Sequence, residues 1–333
     1  MIKPLLSKLN FALGRNPEII KSNNWRNFVP EPFKTVLLIS ADFELAWAWQ
    51  YAKSFTDPVK EAKKIALRER ENIPLILELC NNYNIPITWA TVGHLFLDSC
   101  NRINGVAHME IQRLPHFEND FWRYSGEDWF ENDPCSDNKD APEWYCPDLI
   151  KMILDARVKH EIGCHTFSHI DCRDEICSHE VFDSEINACK EAAKSFGIEL
   201  KSFVHPAHTI GNIESLSAQG FTSYRSDYKN VLGYPVRYQS GIWEIRNTAS
   251  LYYRKGWSLK YHILRYKKII DRAIQSNTVC CLWFHPSVEP EVIDEIMPKL
   301  WKYIDQKKEE ILISTTTDYV EWLNIPESFS ANK

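Results

Sequence analysis

Short apolar runs alternate with helical stretches along this chain, and that alternation restricts the fold more than any other feature. Val36-Leu37-Leu38-Ile39-Ser40-Ala41-Asp42 reads as a buried strand ending in a carboxylate. Further strands are expected at 87–90, 161–164, 202–204, 222–225, 279–284 and 311–314. Helices are expected over 58–82, with Pro74 marking a restart, and over 147–159, 179–196, 213–219, 257–275 and 290–308. Gly197 and Gly220 serve as stop signals. Strands that alternate with helices pair in parallel, and seven such units in one chain favour an α/β barrel. Chemistry in such folds gathers at the C-terminal strand ends. Asp42 and Glu44 follow the first strand here, His165 the third, His205 the fourth and His285 the sixth. One region breaks the alternation. Residues 106–146 are rich in aromatic and acidic side chains, which predicts an ordered insertion or cap beside the barrel mouth.

Composition narrows the function classes. The 333 residues carry a formal charge of -6 and no basic stripe, which argues against a nucleic-acid partner. No apolar stretch approaches the length of a membrane span. Met1 to Arg15 lacks a signal-peptide pattern, so a cytoplasmic protein is expected, with residues 1–33 as a leader. The first segment reads as solvated and is able to touch the inner face of a membrane. The ten cysteines form no CxxC pair. They read as reduced core or spectator thiols, and the missing paired spacing argues against a Cys/His zinc site.

His165 and His169 are four apart, a spacing that puts both imidazoles on one face of a helical turn, within reach of one metal. Thr166 stands where a zinc protease would have its Glu, so that reading fails. Asp42 and Glu44, two apart on an extended segment, point the same way and could supply a third ligand and a base. Two histidines and one carboxylate with open positions make a catalytic metal arrangement.

His165-Thr166-Phe167-Ser168-His169 resembles the second motif of the polysaccharide deacetylase (NodB-like, carbohydrate esterase) family. Ala41-Asp42-Phe43-Glu44 resembles its first motif in a form with one residue between the acids. Ser202-Phe203-Val204-His205-Pro206 stands where the third should be, and Phe284-His285-Pro286 resembles the late histidine motif. Trp89-Ala90-Thr91-Val92-Gly93-His94 and Trp144-Tyr145-Cys146-Pro147-Asp148 look like stretches of one bacterial branch. The resemblance runs from about 36 to 315.

It implies a distorted (β/α)7 barrel over 34–325, with 106–146 as the cap. It implies removal of an N-acetyl group from an amino sugar of a surface polysaccharide or its precursor, with one divalent metal, Zn2+ first among the options. Carried onto this chain, Asp42 is the general base and Glu44, His165 and His169 hold the metal, or Asp42 does so in place of Glu44. His285 is the expected general acid. Trp47, Trp89, Trp144, His205 and His208 are the expected substrate contacts, and Trp49, Trp122 and Trp129 belong to the same aromatic group. An arginine expected soon after the third-motif proline is absent, because Pro206-Ala207-His208 occupies that stretch. Arg225 could compensate but reads as a surface residue. The competing readings are a cyclic imide or ureide amidohydrolase on the same scaffold, a glycan-binding relic, and a non-haem iron oxygenase. The oxygenase fits poorly, because its neighbouring ligands are a histidine and an acid.

Overall fold

The computed structural model describes residues 6, 8–10, 16–227 and 230–325. Its central sheet is built from β1 (Thr35–Phe43), β2 (Thr88–Thr91), β3 (Glu161–Cys164), β4 (Ser202–Val204), β5 (Ser223–Ser226), β6 (Trp243–Arg246), β7 (Ala249–Ser250), β8 (Val279–Phe284) and β9 (Ile311–Ser314). The first five pair in parallel and in order, and β8 pairs with the other side of β1. Closure comes from one continuous stretch, 243–250. Its first half, β6, pairs with β5, and its second half, β7, pairs with β8. Between them Asn247 N donates to Ser226 O and Thr248 N donates to Cys281 O. The result is a distorted seven-membered parallel barrel.

The closing strand is not the expected one. Ile311–Ser314 does form β9, but it pairs only with Thr35–Leu38 at the N-terminal end of β1, below the place where β2 takes over. The true closing stretch escapes a hydropathy reading because Glu244, Arg246, Asn247 and Thr248 interrupt its apolar run. Glu244 and Thr248 are satisfied internally: Ser226 Oγ donates to Glu244 Oε1 at 2.6 Å, and Thr248 Oγ1 donates to Val231 O at 2.7 Å.

Helices α1 (Pro58–Tyr83), α2 (Pro147–Leu154), α3 (His179–Lys194), α4 (Ile213–Ala218), α5 (Leu259–Ser276), α6 (Met297–Asp305) and α7 (Thr316–Leu323) surround the barrel. Helix α1 runs through Pro74 without the expected restart. An interior proline costs about 3 kcal/mol, whereas Ile73, Ile76 and Leu77 are buried beside it and each contributes roughly 1.5–3 kcal/mol. Burial therefore wins. The helix expected over 290–308 is present over 290–305, with a π-type segment, Val292–Ile296, leading into α6.

The expected leader lies partly outside the described residues. Residues 16–33 pack on the barrel: Glu18–Ile19 pairs with Val231–Leu232, and Val29 is buried with Val36, Trp243 and Tyr319. Among the described residues no helix is long and apolar enough to cross a membrane. The 106–146 insertion is built from irregular turns and one two-stranded ribbon, Phe117–Glu118 with Arg123–Tyr124. Its Phe117, Trp122, Tyr124, Trp129 and Phe130 are buried.

Strand alternation positions the chemistry. Along β1, Leu37, Ile39, Ala41 and Phe43 face the helix layer, so Val36, Leu38, Ser40 and Asp42 face inward. On β8, Val279 and Cys281 are inward, and the same series continues to Trp283 and His285.

Candidate active site

Asp42 and Glu44 leave the end of β1 together but enter different partnerships. Glu44 Oε1 lies 3.0 Å from His165 Nε2 and 3.0 Å from His169 Nε2, and Glu44 Oε2 lies 3.6 Å from His285 Nε2. Asp42 instead receives both arms of Arg225, at 2.7 and 2.6 Å, while the same guanidinium donates to Ser40 Oγ at 2.5 Å. Arg225 is therefore a buried site residue and not a surface one. It sits 4.8 Å over the Trp283 ring, which stacks against its flat face. It reaches the Asp42 carboxylate from β5, whereas the stretch Pro206-Ala207-His208 supplies no arginine.

The histidine pair is not on a helix. Residues 165–169 form a tight loop in which Thr166 and His169 both have positive φ, 58° and 62°. Two left-handed residues fold the loop back so that the rings approach to 4.9 Å. That conformation is unfavourable for residues with a Cβ, and the surroundings hold it. Glu185 of α3 accepts from Phe167 N and Ser168 N at 2.8 Å each and from Ser168 Oγ at 2.6 Å. Gly93 N donates to Thr166 O, and a Cβ on Gly93 would stand 2.6 Å from Cys189 Sγ and 3.0 Å from Phe167 Cα, so only glycine fits there. Glu69 of α1 accepts from Glu44 N at 3.1 Å. Burial, then the charge of Glu44, raises the Glu69 carboxyl well above its usual range.

The donor set fits a divalent cation. His165 Nδ1 donates to Val204 O at 2.7 Å, which leaves its Nε2 as a lone pair. Burial lowers the pKa of His169 despite the Glu44 charge, favouring the neutral ring. The His165 lone pair then meets a carboxylate oxygen, while the buried His169 Nδ1 and Glu44 Oε2 have no hydrogen-bond partner. A cation among these atoms removes that repulsion and gives Glu44 Oε2 a partner. Burial alone would raise the Glu44 carboxyl, but His285, His169 and His165 around it outweigh that and hold it well below the usual carboxylate range.

Asp42, Glu44, His169, His208 and His285 line one pocket of about 280 Å³, walled by Trp49, Phe121, Trp122 and Trp283. Three expected sugar contacts lie elsewhere. Trp47, Trp89 and Trp144 are 1%, 0% and 0% exposed and pack in the core, Trp47 and Trp144 where the barrel meets its cap and Trp89 against Phe43 and His160. Trp129 is buried behind them. His205 is also enclosed, donating through Nε2 to Gly211 O at 3.0 Å. His208 does face the pocket, 3.3 Å from Asp227 Oδ2.

Residues 62–219 match the family model described as polysaccharide deacetylase. That match, over a little less than half of the chain, is a likeness to the polysaccharide deacetylase family. No curated protein matches the sequence. Among solved structures, the chain is similar to a Mycobacterium smegmatis protein assigned as a polysaccharide deacetylase, at 13% identity and a TM-score of 0.58, covering 89% of this chain and 92% of that one. It is similar also to Puue allantoinase, at 12% identity and TM-score 0.59 over 89% and 92% of the chains. A Pseudomonas aeruginosa PAO1 protein, also assigned as a polysaccharide deacetylase, matches at 12% identity and TM-score 0.60 over 91% and 95%. At these identities the likeness concerns the fold.

Glu69 and Glu185 carry a signal that was present in the sequence. Each occupies the buried stripe of its helix, Glu69 between Ala66 and Ile73 and Glu185 between Phe182 and Cys189. A carboxylate on an apolar face must have a partner. Glu185→Ala is expected to leave two buried N–H groups unsatisfied, at about 1–3 kcal/mol each. Loosening the loop should weaken metal binding by about 10–100-fold. Thermal unfolding and metal titration would read the two effects.

Proposed function

We propose that this chain is a metal-dependent hydrolase that removes the acetyl group from an N-acetylated amino sugar of a surface polysaccharide or its precursor. The observation that carries the reading is that Glu44 and His169, with His165 buried 3.0 Å behind Glu44, share one pocket with an Arg225-held Asp42 and His285. Residues 34–325 would form the catalytic unit, with 106–146 contributing part of the pocket wall.

Glu44, His165 and His169 would hold the metal, Zn2+ being the first choice for this donor set. Once bound, the cation would polarise the acetamide carbonyl and make a water molecule acidic near neutral pH. Asp42 then accepts the proton of the attacking water. Burial raises its carboxyl, but the charge and paired hydrogen bonds of Arg225 outweigh that and lower it overall, so it is ionised and ready to act as a base. The water oxygen bonds to the acetyl carbon, the C–N bond breaks, and His285 donates a proton to the departing amine nitrogen. His285 is one-third exposed and packs edge-on against Trp49 and Trp283, which lets it reach both solvent and the pocket. Trp49, Trp122 and Trp283 offer apolar faces suited to a sugar ring. All ten cysteines are free, which suits a reducing compartment and supports action inside the cell.

The test is acetate release from a panel of N-acetylated nucleotide sugars and glycans, with hydantoin and allantoin included as cyclic ureides, after loading with Zn2+ or Co2+. Acetate from an amino sugar, lost on chelation and restored by metal, is the expected result. Ring opening of a ureide without acetate release would transfer the site to the amidohydrolase reading. No turnover of any compound under any metal would remove the enzymatic reading.

A further inference from the structure

Outside the pocket, four side chains with metal-ligating atoms converge where the cap meets the barrel. His94 lies on the short turn Gly93–Phe96 after β2, Cys100 and His108 flank the ribbon formed by Arg102–Ile103 and Val106–Ala107, and Asp133 comes from the insertion. One ligand atom from each lies within 4.8 Å of all the others. Asp133 Oδ2 is the hub: it stands 3.0 Å from His108 Nε2, 3.2 Å from His94 Nε2 and 3.5 Å from Cys100 Sγ.

The atoms turned away from the hub are already engaged. His94 Nδ1 faces Trp144 O at 3.2 Å, and His108 Nδ1 faces Glu110 Oε1 at 3.6 Å. The carbonyl behind His94 is the arrangement that fixes a ligating tautomer, while the exposed Glu110 beside His108 supplies charge only. Asp133 Oδ1 accepts from Tyr145 OH at 3.1 Å and from Cys135 N at 2.9 Å, which leaves Oδ2 for the centre. His94 is fully buried, and its Nε2 is aimed at the centre, 3.2 Å from Asp133 Oδ2 but without good hydrogen-bond geometry to it. A surface cleft lined by Cys100, His108 and Glu110 gives an ion a way in.

We propose that His94, Cys100, His108 and Asp133 bind a structural zinc ion, separate from the metal of the pocket. One thiolate, two imidazoles and one carboxylate make a complete tetrahedral set, so no position is left for a reacting water, and the role is to fasten the cap. Zinc binding would expel the Cys100 proton to solvent, and the Tyr145 hydroxyl, 3.0 Å from Cys100 Sγ, can turn its one proton from Asp133 Oδ1 to the thiolate, leaving Oδ1 its bond from Cys135 N. The absence of CxxC spacing does not speak against this site. Five residues separate His94 from Cys100, seven separate Cys100 from His108, and twenty-four separate His108 from Asp133, so the set is assembled by the fold and not by one local turn.

Cobalt substitution tests the proposal on the full chain, because the pocket set contains no sulfur. Metal-free protein titrated with Co2+ is expected to show a sulfur-to-cobalt charge-transfer band in the near ultraviolet that saturates at one ion per chain. The band should persist in the His165→Ala/His169→Ala variant and vanish in Cys100→Ser. Zinc-loaded native chain should hold two ions, and the double variant one. Absence of the band in the native chain, its survival in Cys100→Ser, or a metal-free double variant would each overturn the proposal. The first of these is read without any variant, so a folding defect cannot blur it. A double variant with the same zinc content as the native chain would instead count against the pocket's metal site and leave the cap site standing.

Discussion

Asp42→Asn is expected to lower acetate release by about 10²–10⁴-fold while leaving the metal content unchanged. The substitution keeps the shape of the side chain but removes its capacity to accept a proton. Asp42 is bound to Arg225 through both oxygens, whereas the two histidines converge on Glu44. Metal affinity should therefore rest on Glu44, and Glu44→Gln should lose it. Should Asp42→Asn instead release the metal, as read by elemental analysis beside the activity assay, Asp42 is a ligand and the two acids exchange roles.

Arg225→Met is expected to affect two measurements together. The ion pair with Asp42 is almost fully enclosed, with side-chain exposures of 4% and 5%. Removing one partner of such a pair destabilises a protein by about 3–5 kcal/mol, because the other charge is left in a poor solvent. Denaturant unfolding at neutral pH would read that loss. The second effect is on the pH–rate profile. Arg225 lowers the Asp42 pKa, so without it the carboxyl titrates higher and the acid limb of the profile should move to higher pH. The linked stability has the matching sign. A carboxyl lowered by folding adds stability above its unfolded pKa, near 3.8, and loses it as pH falls through the folded value. Arg225→Met should flatten that acid dependence. An unchanged acid limb would mean that another group is the base.

The sequence made the barrel legible because its strands are nearly continuous apolar runs and its helices begin and end on capping residues such as Asp57 and Ser178. The strand ends are legible for the same reason, and the pattern alone brings Asp42, Glu44, His165 and His285 to one mouth. Pairings that depend on three dimensions are not legible. Nothing local shows that Arg225 reaches across to Asp42, 183 residues earlier. The aromatic wall was misassigned for a related reason. Trp47, Trp89 and Trp144 are indistinguishable by type from Trp49, Trp122 and Trp283, and only packing decides which face the pocket. The helical spacing of His165 and His169 predicted that they would meet, although a strained loop brings them together.

The shared strand 243–250 has a mechanical consequence. Its β6 half is registered against the strand that carries Arg225, and its β7 half against the strand that leads to His285. Arg225 and His285 are thus geared to one rod. One residue inserted at Asn247–Thr248 would leave each half paired with its own neighbour only by turning one set of side chains inside out. The hinge between the two halves tolerates changes of side chain far better than changes of length.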